Sequence, residues 1–267
     1  MQLLTPVIPD AGAPLVRANP VAKLGAALAL FVALFASLDG VTALVVLAGL
    51  LALLPVSGVS VSALAGRAWL IGLGAVSLGI VNTVFASEQL GPTVVAIGPL
   101  QIGAETLVDG LGLMCRLLAI ALAGILATAT SQPTELADAL VQQLHVSPRF
   151  AIGALAALRL LPLMALEWQT IAMARRARGV AAGRSPIRAA RLFFGQLLAL
   201  LVGAVRRASR MAVAMEARGF GAMPCRTAAR VQRMTAGDWA WIGGALALGA
   251  GAIGISVALG TWRPLLG

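Results

Sequence analysis

The triplet Ala-Arg-Gly occurs twice in this chain, at Ala177, Arg178 and Gly179 and again at Ala217, Arg218 and Gly219. The match extends upstream: "IAMARRARG" (171–179) and "MAVAMEARG" (211–219) also align Ala172 with Ala212 and Ala174 with Ala214. Each copy reads as an alanine-rich helix end closed by glycine, the residue that best tolerates the left-handed conformation beyond a helix C-terminus. An arginine there complements the helix dipole. Its guanidinium is permanently charged and can grip a carboxylate through two parallel hydrogen bonds, fixing angle as well as distance. One such triplet is an ordinary helix end. Two copies with matching alanines point to a pair of docking knobs.

The elements that must carry these knobs lie in the most basic part of the chain. Between residues 159 and 233 stand fourteen arginines and no lysine against Glu167 and Glu216, a net charge of +12 in a chain of net +10. Such a cluster suits anionic lipid headgroups or an acidic protein partner. Nucleic acid is not expected, because no aromatic residues interleave the arginines as stacking platforms. Apolar stretches alternate with the charge, "FAIGALAALRLLPLMAL" (150–166) and "LFFGQLLALLVGAV" (192–205). Ser185-Pro186 reads as a cap followed by proline at the first helical position. The block is expected to form long amphipathic helices along the membrane surface. A sixth or re-entrant crossing at 150–170 is the alternative, and Arg159 and Pro162 in its middle count against it.

The rest of the chain is membrane-like. Of 267 residues, 60% are hydrophobic and 11% charged, against about 25% charged in soluble domains. The expected fold is an all-α integral membrane protein with about five transmembrane helices, at 21–38, 41–58, 68–87, 108–130 and 240–260. Arg17, Lys23 and Arg67 flank one side of these spans, while Asp39, Glu88 and Glu105 stand on the other without lysine or arginine. The positive-inside rule then places the N-terminus and residues 131–238 in the cytoplasm of a multi-pass protein. Four regions follow: a leader at 1–20, a four-span membrane domain at 21–130, a cytoplasmic coupling-helix domain at 131–238 and a final transmembrane helix at 239–267. The first residues lack a basic region ahead of an apolar core and do not resemble a cleaved signal.

Other chemistry finds little support. His145 is the only histidine, and one imidazole does not make a metal site. Cys115 and Cys225 have neither metal-type spacing nor a disulfide framework. Glu105 and Asp109 lie four apart at the outer rim, a placement that suits solvation better than acid–base work. Arg116, inside the fourth span, is costly in a bilayer. It is expected either to pair with Asp109 or to serve an interface with a partner subunit. Small residues recur at four-residue spacing, as Gly25, Ala29, Ala33 and Ser37, as Cys115, Ala119, Ala123 and Ala127, and as Gly243, Ala247 and Gly251, an expected internal packing face. No phosphate-binding loop of the G-x-x-x-x-G-K-[ST] type is present, so ATP hydrolysis would have to come from a partner. A membrane-embedded enzyme of lipid or isoprenoid metabolism is the rival class. Its acid or metal pair is missing: Glu135, Asp138, Glu167, Glu216 and Asp238 show no D-x-x-x-D spacing.

With these residues in place, the chain resembles the transmembrane T component of energy-coupling factor (ECF) transporters over nearly its whole length. The segments that carry the resemblance are "NPVAKLG" (19–25), "GPLQIGAETLVDGLGLMCRLL" (98–118), "TSQPTELADAL" (130–140) and, most specifically, "ARG" and "ARGF". The resemblance implies an energy-coupling subunit that is not itself an enzyme and needs no cofactor or metal. It implies two ATP-binding cassette ATPase subunits as partners, together with a substrate-binding membrane subunit for a vitamin or a transition-metal ion. Arg178 would dock on one ATPase and Arg218 on the other, with Arg175 and Arg176 as competing guanidiniums at the first site.

Overall fold

The structure, a computed structural model, describes residues 12–86, 91–97, 100–180, 185–220 and 230–264. Glu88, Arg184 and Cys225, as well as most of the expected leader, lie outside the described residues. The chain is an all-α integral membrane protein. Its helices are α1 (Pro14–Arg17), α2 (Pro20–Ala36), α3 (Gly40–Ser57), α4 (Val61–Val84), α5 (Ala104–Ala129), α6 (Pro133–Gln143), α7 (Pro148–Ala177), α8 (Pro186–Ala217) and α9 (Ala236–Ala258). Among the described residues the only paired strands form a short antiparallel hairpin ahead of α5, β1 (Thr93–Ile97) with β2 (Leu100–Gly103).

Two compact units result, one from Met1–Ala139 with Gln232–Gly267 and the other from Leu140–Val231. In the first, α5 packs against α2, α3 and α4, and α9 lies on α2 and α3. The core joins Leu30 and Leu34 of α2, Val46 and Leu50 of α3, Ala119, Leu122 and Leu126 of α5, and Ala245 and Ala252 of α9. Local chemistry starts these helices. Asn19 accepts the backbone N–H of Val21 ahead of Pro20, and Asp39 accepts that of Thr42 at 2.7 Å. Thr235 and Asp238 form a reciprocal capping box at α9. Gly58, at φ 69°, closes α3.

The small-residue stripe of α5 is a packing face, with Ala119, Ala123 and Ala127 all buried. The stripe expected on α9 is not. Gly243 and Gly251 have no neighbour within 4 Å of where a Cβ would stand, whereas Ala245, Gly249, Ala252 and Ser256 are buried. The buried set advances by four, three and four residues, following the 3.6-residue helical repeat, while the sequence pattern had singled out the adjacent face.

Five helices are long and apolar enough to cross a membrane: α3, α5, α7, α8 and α9. These are not the five expected segments. By length α2, with 17 residues, and the apolar part of α4 (Trp69–Val84) fall among shorter apolar helices, while α7 and α8 qualify. They qualify because each carries a long apolar stretch with few charges. Arg191 and Arg206 of α8, for example, bracket fourteen residues without a charge.

Candidate docking tips

The second unit is built around α7 and α8, of 30 and 32 residues. Arg175 meets Leu192, Trp168 meets Gln196, and Glu167 and Met164 meet Arg207. Residues that climb α8 meet residues that descend α7, so the two helices run antiparallel. Ser185 starts α8 as the sequence implies, its side chain accepting the N–H of Arg188 ahead of Pro186. His145 turns the chain between α6 and α7 at a positive φ of 54°.

Each triplet terminates one of these helices, and the two ends share one backbone geometry. Arg178 is the C-cap of α7 and Arg218 that of α8, at φ/ψ of −85°/9° and −89°/12°. Gly179 and Gly219 follow in the left-handed region, at φ 73° and 77°. The N–H of Gly179 donates to Arg176 O and that of Val180 to Arg175 O, at 2.9 and 3.0 Å. Gly219 donates to Glu216 O and Phe220 to Met215 O, again at 2.9 and 3.0 Å. Both are Schellman closures with the same hydrogen bonds. The sequence repeat is therefore also a repeat of conformation.

Ala177, Arg178 and Gly179 are exposed, as are Ala217, Arg218 and Gly219. Neither Arg178 nor Arg218 makes a side-chain hydrogen bond or ion pair to the described residues. The neighbouring guanidiniums differ. Arg175 Nη1 donates to Leu192 O of α8 at 2.7 Å, and Arg176 Nε donates to Ala172 O of its own helix at 3.3 Å. Of the three arginines at the first tip, Arg178 is the one left uncommitted. Because the helices are antiparallel, the tips stand at opposite ends of the hairpin. Phe220 and Met215 share a cleft of about 410 Å³ with Arg149 and Gly153 at the start of α7. At 1.5 Å per residue the two tips are about 40 Å apart.

Arg116 lies elsewhere and does not pair with Asp109. Its guanidinium donates to the backbone carbonyls of Ser37 and Asp39, in the turn between α2 and α3. Asp109 is instead bound by Arg263 at 3.2 Å. A long side chain on α5 reaches across to helix-end carbonyls, which the seven-residue spacing to Asp109 on its own helix could not indicate. The cross-helix bond of Arg175 was likewise missed. Its one sequence signal is the mismatch between the repeats, where Arg175 stands opposite Met215.

Comparison with known proteins places the chain in a family. Residues 12–228 match the family model CbiQ, described as cobalt transport protein. Relatives named energy-coupling factor transporter transmembrane protein EcfT include one from Leuconostoc gelidum subsp. gasicomitatum, 33% identical over 150 residues. That alignment takes in 52% of this chain and 55% of the relative. The Thermosediminibacter oceani protein is 32% identical over 158 residues, 56% of this chain and 60% of its own. The Bacillus subtilis protein is 31% identical over 138 residues, 49% and 52% respectively. The chain spans about half the length of the curated relatives it matches. The resemblance read from the sequence is borne out at the level of family. Since the family model takes in both arginine tips and most of the first unit, this chain belongs to the CbiQ family, described as cobalt transport protein.

Proposed function

We propose that the chain is the energy-coupling transmembrane subunit of an ECF-type ABC importer. It links ATP hydrolysis on two ATPase subunits to a separate substrate-binding membrane subunit that takes up a vitamin or a transition-metal ion. The observation that carries this reading is the pair of conformationally matched, uncommitted arginine tips at the two ends of one hairpin. Two similar knobs suit two similar sockets, one for Ala177-Arg178-Gly179 and one for Ala217-Arg218-Gly219. Catalysis would reside in the ATPases, and closure of the ATPase pair would move the two tips. The names of the EcfT relatives support this reading.

In this reading the N-terminus and residues 131–238 are cytoplasmic, with α7 and α8 on the membrane surface. Arg159 and Glu167 within α7, and Arg206, Arg207 and Arg210 within α8, favour a surface position over a crossing. Cysteines introduced at Glu88 and Arg184 should therefore label from opposite faces, Glu88 from outside.

The deciding experiment measures ATPase retention on the purified membrane complex at moderate salt. Arg178→Ala/Arg218→Ala should release the ATPases while the chain stays inserted and folded. Arg230→Ala, on the same basic block but outside both triplets, should retain them. If the control releases as much ATPase as the double variant, the triplets are ordinary members of a basic face and the docking assignment fails.

A further inference from the structure

We infer that Arg175 is a positioning residue that fastens the first docking tip to α8, making the tip and the hairpin one rigid lever. This deepens the function proposed above and rests on it. Arg175 holds the tip twice. Its backbone carbonyl accepts the N–H groups of both Arg178 and Val180, at 3.1 and 3.0 Å, which closes the α7 C-terminus. Its half-buried guanidinium leaves α7 and donates to Leu192 O near the start of α8. The same residue therefore sets the local shape of the tip and its position relative to the second helix.

The surroundings are fitted to this bridge. Gly195 lies one helical turn beyond Leu192, and a Cβ there would stand 3.4 and 3.6 Å from the two terminal guanidinium nitrogens. A Cβ would make ordinary van der Waals contact with the guanidinium, so only a longer side chain at this position would reach into its space. Leu192 O can accept this bond beside its own helical one, since a carbonyl has two lone pairs. Gln196 to Trp168 O at 2.6 Å, and Arg207 to Glu167 at 3.1 Å, link the same two helices farther along the hairpin.

Among the described residues the second tip has no counterpart to this bridge. Met215 occupies the position equivalent to Arg175 and its carbonyl performs the same closure, but its side chain lines an open cleft beside Gly153, Ala157, Met211 and Phe220. A merely duplicated helix end would not need the arginine. The difference between the copies assigns Arg175 to the hairpin rather than to a socket.

The test has a spectroscopic arm and a functional arm. Spin labels at Ala174 and Ile187, in a full chain carrying Cys115→Ser and Cys225→Ser, report the tip-to-α8 distance in lipid nanodiscs. The parent should give one narrow distribution. Arg175→Met, which copies the second tip, should broaden it, and so should Gly195→Leu, which keeps the charge but fills the space under the guanidinium. In the reconstituted complex, Arg175→Met should retain both ATPases. Substrate transported per ATP hydrolysed should fall about tenfold, the scale set by one hydrogen bond to a charged group. Arg175→Lys, which keeps a donor, should recover part of the loss. Unchanged distributions in both variants would overturn the bridge. Release of ATPase by Arg175→Met to the extent seen with Arg178→Ala would make Arg175 a docking group and overturn its positioning role. Retention of ATPase by Arg178→Ala would overturn the docking reading, and with it any role of Arg175 through that tip, even where the distance arm broadens.

Discussion

Asp238 accepts the backbone N–H of Asn19 at 2.6 Å, joining the first turns of α9 and α2 across 219 positions of sequence. The same carboxylate accepts the N–H and the hydroxyl of Thr235, both at 2.8 Å, and is buried. Lys23 stands nearby, its ammonium donating to Thr130 O at 2.8 Å and Val16 O at 3.1 Å. Three helix ends thus meet in one polar knot. Asp238→Ala leaves three donors without their acceptor and should cost about 3 kcal/mol, the scale of losing charged hydrogen bonds at a buried site. Asp238→Asn retains one acceptor oxygen and should cost roughly half as much. Thermal unfolding in detergent checks both, and equal costs would mean that the carboxylate matters only as a helix cap.

The sequence was most legible where structure is decided locally. Asn19-Pro20, Asp39-Gly40 and Ser185-Pro186 mark helix starts because a cap needs only its own next turn. The two tips were legible for the same reason, since glycine after an alanine-rich helix specifies a left-handed closure without help from elsewhere. What stayed hidden depends on register between helices. Nothing near Arg175 in the chain names Leu192, and nothing near Arg116 names Ser37. The packing face of α9 was misread because Gly, Ala and Ser are so frequent there that several faces carry small residues, and only contact with α2 and α3 selects one. The set of long apolar helices differs because α7 and α8 carry enough apolar sequence between their charges to qualify by length and composition.

Gly179 and Gly219 should respond alike to substitution. Each has a positive φ, and nothing lies within 4 Å of the position a Cβ would take. The cost of alanine is therefore conformational rather than steric, roughly 1–2 kcal/mol at either site. Asparagine, which enters the left-handed region more readily, should recover part of it. Loss of ATPase retention should follow the same order, alanine before asparagine. A bulky but permissive residue that abolished retention without loss of stability would show that the glycines matter for close approach rather than for the turn.

Arg116 and Arg263 offer a contrast between a charge that satisfies backbone and one that satisfies a surface carboxylate. Arg263 and Asp109 are 58% and 44% exposed, and such a pair contributes about 0–1 kcal/mol. Arg263→Ala should be nearly neutral. Arg116→Ala removes the donor from Ser37 O and Asp39 O and should cost about 2 kcal/mol, with Arg116→Lys between the two. Thermal unfolding of the three variants checks the order. A neutral Arg116→Ala that lowered transport would return this residue to a subunit interface.

Glycines on α5 and α9 separate a required close approach from a permissive one. A Cβ on Gly112 would fall 2.7 Å from the Cα of Gly40, where α5 crosses the start of α3. The obstacle is the backbone of Gly40, so no side chain can swing aside and the helices themselves must part. Gly112→Ala should cost about 2–3 kcal/mol, the upper range for overpacking a tight contact. Gly40→Ala meets the Cα of Gly112 at 3.1 Å and should cost less, since a shift of a few tenths of an ångström relieves it. On α9 the expectation reverses. Gly243 and Gly251 face open space, and alanine is the better helix former by about 0.8–1.0 kcal/mol, so Gly243→Ala and Gly251→Ala should be neutral to stabilising in the isolated chain. Thermal midpoints in detergent distinguish these cases. If Gly243→Ala proved as damaging as Gly112→Ala in the isolated chain, the stripe at 243–251 would be a packing face after all. If it were harmless there but weakened the assembled complex, that face of α9 would be the one a partner subunit covers.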